Sequence, residues 1–314
     1  MLRLIAILLL TALTAAVPAP ARAQYPTKPV ELVVPFPAGG RTDIIARQWA
    51  AAAGKHLGQQ VVVVQKVGGG GAVGSIHVMN APADGYTLMA TTIGNQVLRP
   101  ISATVPYRYD SFAPIGQISA ATLVLAAKSD RPWKTLSELV ADAKKRPGAI
   151  TFGTPLKLLP HLTVARFARA AGVDLKHVPQ TGDGPAITAT LGGHVDMVVT
   201  SVGTILSHIK AGSLRPLGVF SEARDPALPE AATAREQGFA VVGEPWTGIA
   251  APKGTPAEVL ARLRSVFELT IKDPEFVAGM EKLGERIVPM SADRFGARWA
   301  QDFEGLEPVV KALK

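Results

Sequence analysis

Apolar and polar positions along this 314-residue chain change in blocks rather than residue by residue. Val30 to Val34 and Val61 to Val64 are short, largely β-branched apolar runs, the pattern of strands buried beneath helices, and Tyr86 to Thr91 reads as a third strand. Between the first two, Ile44, Ile45, Trp49, Ala53 and Leu57 recur at helical spacing. Between the second and third, a helix is expected from about Ala72 to Asn80, and Ala81-Pro82-Ala83-Asp84-Gly85 then turns the chain. Strand, helix, strand, helix, strand predicts a parallel sheet with right-handed crossovers.

Ala113 to Ile118 and Leu123 to Ala127 also read as strands, but no helix follows either at once, which marks a crossing between domains. A second βα series follows. Thr135-Leu136-Ser137-Glu138 is a capping box that opens a helix to about Lys145. Further strands are expected at Ile150 to Gly153, Leu175 to Val178, Val195 to Val199 and Leu214 to Phe220. The intervening helices run from His161 to Ala171, to Leu191, and from Thr204 to Lys210. Ser221 to Gly238 reads as a surface excursion with a short helix, and Glu244-Pro245-Trp246-Thr247-Gly248 as a crossover loop. Gly248 to Ala251 returns as a strand. Thr255-Pro256-Ala257-Glu258 reads as another capping box with proline at the first helical position, opening a helix to about Ile271. Helices at Pro274 to Leu283 and from Ala292 to the C-terminus are expected to pack on the first domain.

The most informative stretch is Pro35-Phe36-Pro37-Ala38-Gly39-Gly40-Arg41-Thr42-Asp43, after the first strand. The prolines stop the strand because they lack the N–H a ladder needs. Gly39 and Gly40 allow a tight turn and expose N–H groups. Thr42 or Asp43 can cap the helix. A glycine turn feeding a helix N-terminus is a ready anion site, though a plain strand-to-helix connection has the same look. Gly68 to Gly71 gives the second strand a glycine-rich ending too. In the second series the polar loops hold Thr154, then Thr181 to Gly184, then Thr200 with Ser201. In open parallel sheets ligands sit at the carboxyl ends of strands.

The chain opens with Arg3, an uncharged apolar run from Leu4 to Val17, and Ala21-Arg22-Ala23, a small-x-small cleavage site. Residues 1–23 are therefore expected to be a cleaved export signal, since the apolar run is short for a membrane span. About 290 mature residues suggest two domains or one large one. There are no cysteines, which excludes disulfides and thiolate metal sites. The chain carries 33 basic and 25 acidic residues. Losing Arg3 and Arg22 with the signal leaves a net charge of +6, which favours anionic ligands by steering. The basic residues are scattered, without runs or interleaved aromatics, so nucleic acid is not an expected partner.

Other chemistry finds little support. Gly69-Gly70-Gly71-Ala72-Val73-Gly74 fits G-x-G-x-x-G. However, Gln65, Lys66 and Val67 separate it from the strand, and the next strand ends in Thr91-Thr92 with no acid for a ribose. No Walker loop, G-x-S-x-G or H-E-x-x-H occurs. The six histidines are dispersed, and none makes a short metal-ligand pair. Ser201 as a nucleophile has no local support. Neither a metal nor a cofactor is expected.

Tyr25-Pro26-Thr27-Lys28-Pro29-Val30, with the Pro35 to Gly40 loop and Thr42-Asp43, resembles the mature N-terminus of the Bug family, the periplasmic substrate-binding proteins of tripartite tricarboxylate transporters. The likeness continues in order through Ala81 to Leu88, Pro160-His161-Leu162, His177-Val178-Pro179, Gly182 with Gly184-Pro185-Ala186, and Leu191-Gly192-Gly193. Ile209 to Gly212, Ala227-Leu228-Pro229 and Ala250 to Pro256 complete it. The resemblance implies a two-domain flytrap fold of periplasmic-binding-protein type, each domain a mostly parallel sheet flanked by helices. Domain 1 would hold residues 24–124 and 248–314, and domain 2 residues 125–247. It implies no enzyme, but a monomer that takes a small carboxylate and hands it to membrane components of the transporter.

Site residues implied on the first domain are Pro35, Phe36, Ala38, Gly39, Arg41, Thr42 and Asp43, with Gly70 and Gly71. On the second they are Thr154, His161, Thr181, Gly182, Asp183, Thr200 and Ser201, with Trp246 at the crossover. The sequence departs from the family pattern within this set. Arg41 stands where a small residue is usual, Gln180-Thr181 replaces Tyr-Lys, and Thr200-Ser201 replaces Phe-Asp or Phe-Asn. Arg41 is accordingly a candidate charge partner for the ligand, with a surface role as the alternative. Two further function classes stay open on sequence grounds: a sensor subunit for a receptor, and an exported hydrolase using Ser201 or Asp183.

Overall fold

The computed structural model describes residues 25–156 and 158–312. The expected export signal lies outside them. Two sheets organise the chain, in the strand orders β11-β4-β10-β3-β1-β2 and β7-β6-β8-β5-β9. The first contains β1 (Val30–Val34), β2 (Val61–Gln65), β3 (Thr87–Thr92), β4 (Phe112–Ala120), β10 (Trp246–Pro252) and β11 (Ile287–Ser291). The second contains β5 (Leu123–Lys128), β6 (Thr151–Thr154), β7 (Lys176–Pro179), β8 (Met197–Ser201) and β9 (Leu214–Val219). The expected βαβαβ start is present: β1 pairs in parallel with both β2 and β3. Between strands, parallel pairing occurs in β1–β3 and in β6–β8, whereas β4, β5, β9, β10 and β11 pair antiparallel, with one isolated parallel bridge from Val219 of β9 to Thr233. Each sheet is thus mixed rather than mostly parallel, because the strands that carry the chain across, or return it, run against the βα units.

Among the described residues, ten α-helices cover the sheets. They are α1 (Arg41–Leu57), α2 (Ala72–Met79), α3 (Arg99–Ser102), α4 (Leu136–Lys145), α5 (Leu159–Ala171), α6 (Asp183–Leu191), α7 (Val202–Lys210), α8 (Ala257–Thr270), α9 (Pro274–Lys282) and α10 (Ala292–Ala312). Their apolar stripes explain the packing. Ile45, Trp49, Ala53 and Leu57 of α1 are buried with Val30, Leu32, Phe267 and Phe276, so α8 and α9 join α1 on one face of the first sheet. Replacing a side chain such as Trp49 by alanine would cost about 3–5 kcal/mol. The second sheet packs Phe152, Met197 and Val199 against Leu139, Leu162 and Phe167. Its other face packs Val124 and Val198 against Ile187 and Ile205.

Several local expectations change. Gly40, not Thr42 or Asp43, is the N-cap of α1, and no side chain caps it. The Thr135 box forms only in part: Thr135 accepts from the Glu138 amide at 3.1 Å, but the Glu138 carboxylate reaches back to the Lys134 amide at 2.6 Å rather than to that of Thr135. The Thr255 box does not: helix α8 starts at Ala257, and the Thr255 hydroxyl instead donates to the Pro252 carbonyl at 2.8 Å. Residues 221–238 hold turns rather than a short helix. Asp225 accepts from the Ala227 amide, and Pro226 and Pro229 break any helical run. β11 is missing from the sequence reading because Pro289 interrupts it, which an edge strand tolerates. Trp246 is not in a loop. It opens β10, is 1% exposed, and donates its indole N–H to Asp302 at 2.8 Å.

The chain changes sheet between Ala120 and Leu123 and returns between Val219 and Trp246. The expected divisions at 124/125 and 247/248 fall inside β5 and β10. The two crossings touch: Ala120 is the register partner of Trp246, and the Ala121 amide donates to the Pro245 carbonyl at 3.0 Å.

Candidate functional site: two carboxyl edges facing one crossover

Strand register sets where the loops go. Thr92, at the carboxyl end of β3, is paired with Thr247 near the start of β10, and Thr247 with Ser119 near the end of β4. The carboxyl ends of β1–β3 therefore lie at the edge from which the chain leaves the first sheet. In the second sheet, Leu123 at the entry is paired with Ser201 at the carboxyl end of β8. The carboxyl ends of β6–β8 lie at the edge where the chain arrives. Both loop-bearing edges turn toward the same crossover, the arrangement expected where an α/β sheet binds a ligand.

On the first edge, the glycine turn is built differently from its sequence reading. The Gly39 amide is not left open: it donates to Asp43 Oδ2 at 2.9 Å, and the Gly40 amide donates to the Pro37 carbonyl at 3.3 Å. Asp43, 2% exposed, also accepts from Arg47 Nε at 3.0 Å and from Gln65 Nε2 at 2.6 Å. Burial alone would raise the Asp43 carboxyl, but the bonds from Arg47, the Gly39 amide and Gln65 overcome it and hold the group below its ordinary range. Asp43 is thus the brace of the turn. The amides left to an anion are those of the first helical turn, Arg41, Thr42 and Asp43, which have no intrahelical acceptor.

Arg41 is also committed. Its Nε and Nη2 reach Glu285 Oε1 and Oε2 at 2.7 Å each, a two-pronged ion pair, while Nη1 and Nη2 donate to Thr247 and Ser119 at 3.1 Å. The guanidinium expected to meet a ligand carboxylate is occupied by a carboxylate of the protein, beside the crossover strands. The neighbouring Arg286 donates to Thr122 and to Asp225, both at 2.6 Å, so one turn fastens the first loop and the far sheet's connection together.

Gly69, Gly70 and Gly71 all take positive φ (57°, 66° and 91°). A Cβ on Gly71 would lie 2.6 Å from Asn95 Cβ and 3.3 Å from the Phe36 ring. Only glycine lets the second loop close on Phe36. Asn95, fully buried, accepts from the Thr92 amide at 2.8 Å and donates to Ser75 at 3.0 Å, fixing the loop after β3. The sequence reading missed Arg99, which follows this loop. Its guanidinium lies 3.8–4.0 Å from a Cβ position on Gly70, its Nε is buried without a partner, and no described carboxylate pairs with it. Its signal was present in the sequence: a cation just beyond the polar loop Thr92-Ile93-Gly94-Asn95 of a parallel strand.

The second edge is made of side chains. The Thr154 carbonyl, at the end of β6, accepts from His177 Nε2 at 2.8 Å and from the Gln180 amide at 3.1 Å. His177 stacks on the buried His161 with centroids 4.0 Å apart, and lies tilted against Phe152 at 5.1 Å. The hydroxyls of Thr154 and Thr200 are buried with no hydrogen-bond partner. Ser201 ends β8, Thr181 and Gly182 precede α6, and Asp183 is its first residue. Trp246, expected beside them, lies away in the core: it packs edge-on to Phe295 at 4.9 Å and stacks on Trp299. Lys157 lies outside the described residues. Among those described, no acidic or histidine cluster could hold a metal, and no helix is long and apolar enough to cross a membrane.

Two mixed α/β sheets joined by paired crossings, with loop edges turned to the junction, define a two-domain solute-binding protein. Comparison with known proteins narrows the class. The chain belongs to the tripartite tricarboxylate transporter family of receptors, whose model matches residues 45–313. It is 31% identical over 317 residues to protein BugT of Bordetella pertussis, covering 99% of this chain and 97% of that one. It is 39% identical over 268 residues to a UPF0065 protein encoded in the tcbD-tcbE intergenic region of Pseudomonas sp. strain P51, covering 83% and 79%. Among solved structures, a TctC solute-binding protein from Polaromonas superposes with a TM-score of 0.87 at 29% identity, over 92% of this chain and 99% of that one. MatC from Rhodopseudomonas palustris with bound malate matches with a TM-score of 0.65 at 26% identity, covering 91% and 100%. An R. palustris protein with adipate matches at 0.68 and 27%, covering 91% and 97%.

Proposed function

We propose that this chain is a periplasmic solute-binding protein, without catalysis, that captures a small organic carboxylate between its two lobes. It then presents the closed form to the membrane components of a tripartite tricarboxylate-type transporter. The lobes are taken to divide where the strands change sheet. The observation that carries the ligand class is Arg99, a cation with no counterion among the described residues, set against Gly69 and Gly70. A ligand carboxylate there would meet the guanidinium beside the glycine loop, a charge-assisted pairing worth about 1.5–3 kcal/mol per hydrogen bond. Two relatives of the same fold, solved with malate and adipate, support the class. The unpartnered Thr154 and Thr200 hydroxyls are the second lobe's candidate donors.

The test is a thermal-shift and calorimetric screen of mono-, di- and tricarboxylates, malate and adipate included, on the mature protein. At least one should raise the melting temperature in a concentration-dependent way, as linkage requires, and be recovered chemically unchanged. Binding only to uncharged solutes, or recovery of a product, would overturn the reading.

A further inference from the structure

A second polar cavity, of about 640 Å³, lies away from both loop edges, between α5, residues 222–242 and α10. That is the size of a small-molecule site. None of its lining residues belongs to the loops after β1–β3 or β6–β8. Arg166, Glu222 and Arg235 wall it from the second-sheet side, and Arg294, Arg298 and Asp302, all on α10, from the first.

The charges do not cancel. Arg298 is satisfied by Glu244 at 3.1 Å, Asp302 at 3.6 Å and Gln117 at 3.1 Å. Arg235 is paired with Glu222. Arg166 donates only to the Val242 carbonyl at 2.9 Å, and Arg294 pairs with no described residue. Among the described residues, two guanidiniums without an ion-pair contact thus line one cavity, and Asp302, 3.6 Å from Arg298, is shared with Arg166 only at longer range. The arrangement is shaped rather than incidental at one point: a Cβ on Gly305 of α10 would lie 3.0 Å from Arg166 Nη2, so a glycine makes room for that side chain. Burial disfavours the charge on Arg166, pulling its pKa down, with Asp302 only partly offsetting it. A cation held in this way gains from any anion that enters.

We propose that this cavity is a second anion site, taking a small multivalent oxyanion (a di- or tricarboxylate, or a phosphate ester) held by Arg166 from one wall and Arg294 from the other. A monovalent ion could neutralise only one of the two. Because the walls belong to the two sheets, an ion bridging them ties the lobes on the side away from the ligand edges. Its binding and that of the cleft ligand are then coupled, each altering the other's affinity by the same factor.

The test is calorimetry at low ionic strength, where screening is weakest, with citrate and inorganic pyrophosphate as probes for the two sources. One of them should bind the mature protein. Arg294→Gln, an exposed change on α10, and Arg166→Gln should each weaken it at least about tenfold, near the loss of one charged hydrogen bond. Arg169→Gln, an exposed change on α5 of equal charge outside the cavity, should alter it less than about twofold. Should Arg166→Gln fail to fold, Arg294→Gln alone decides. No binding of either probe at millimolar concentration overturns the site. So does an equal loss in Arg169→Gln, which would mean diffuse attraction. Binding lost in Arg99→Gln but kept in Arg294→Gln places the probe in the cleft and also overturns this site, leaving the cleft reading intact.

Discussion

The two loop edges reach the same crossover by opposite means. The first is shaped by backbone: four successive glycines at positive φ, a turn braced by Asp43, and the Arg99 guanidinium, which no described carboxylate pairs. The second is shaped by side chains: a His161–His177 stack, a carbonyl at Thr154 that accepts twice, and hydroxyls of Thr154 and Thr200 that find no acceptor or donor. Backbone geometry tolerates little variation, so on the reading proposed above the first edge would suit a feature shared by every ligand, its carboxylate. Side chains can be exchanged without moving the strand beneath them, so the second edge suits whatever distinguishes one ligand from another.

The sharpest way to break this contrast is through its arginines. Arg99→Gln should weaken carboxylate binding about 10–100-fold, the loss of one or two charged hydrogen bonds, with melting temperature little changed. Arg41→Gln should do the reverse. It strands the Glu285 carboxylate and costs about 1–3 kcal/mol of stability, with a smaller effect on affinity. Calorimetry and denaturant unfolding on the two variants separate these outcomes, and a larger affinity loss for Arg41 would reverse the assignment.

Next in size are the glycines. Gly71→Ala must fit a Cβ 2.6 Å from Asn95 at a φ of 91°, and should destabilise by about 1–3 kcal/mol. Gly184→Ala, in the first turn of α6 with nothing within 4 Å, should be neutral or stabilising by up to about 1 kcal/mol. If both behave alike under urea, the first edge has no special demand on its backbone.

Thr200→Val removes a buried hydroxyl without a partner, and should hold or raise stability by about 1 kcal/mol while reducing affinity for ligands that use it. The smallest effect is with pH. The folded-state pKa of Asp43 lies below its unfolded value, so its contribution is complete above about pH 4 and is lost as the pH falls through the folded value. Asp43→Asn should flatten that acid limb in a titration of stability.

Much of this was legible from the order of residues. β1, β2, β3 and the helices between them follow from β-branched runs set against helical periodicity. The crossing near residue 120 follows from two strands with no helix between them. What escaped was governed by distant partners. Nothing local says that Glu285 will claim Arg41, 244 positions away. Trp246 looks like a loop residue beside Pro245 until Asp302 and Phe295 are seen to enclose it. Arg99 was missed for the opposite reason: its significance is the lack of a counterion, which only the fold reveals. Thr154 was read as a loop residue but closes β6, Thr200 was read at the end of β8, and neither hydroxyl's lack of a partner could be read from the sequence.

The register pairing of Ala120 with Trp246 has a practical corollary. Everything from 121 to 245 enters and leaves through adjacent β-rungs, so that part of the molecule is a cassette set into the other at one socket and fastened at its sides by contacts such as Arg286 to Asp225 and Arg298 to Glu244. Exchanging it between homologues would require matching the joint and those side contacts, and a chimera built there should inherit the donor's solute preference while keeping the recipient's glycine turns.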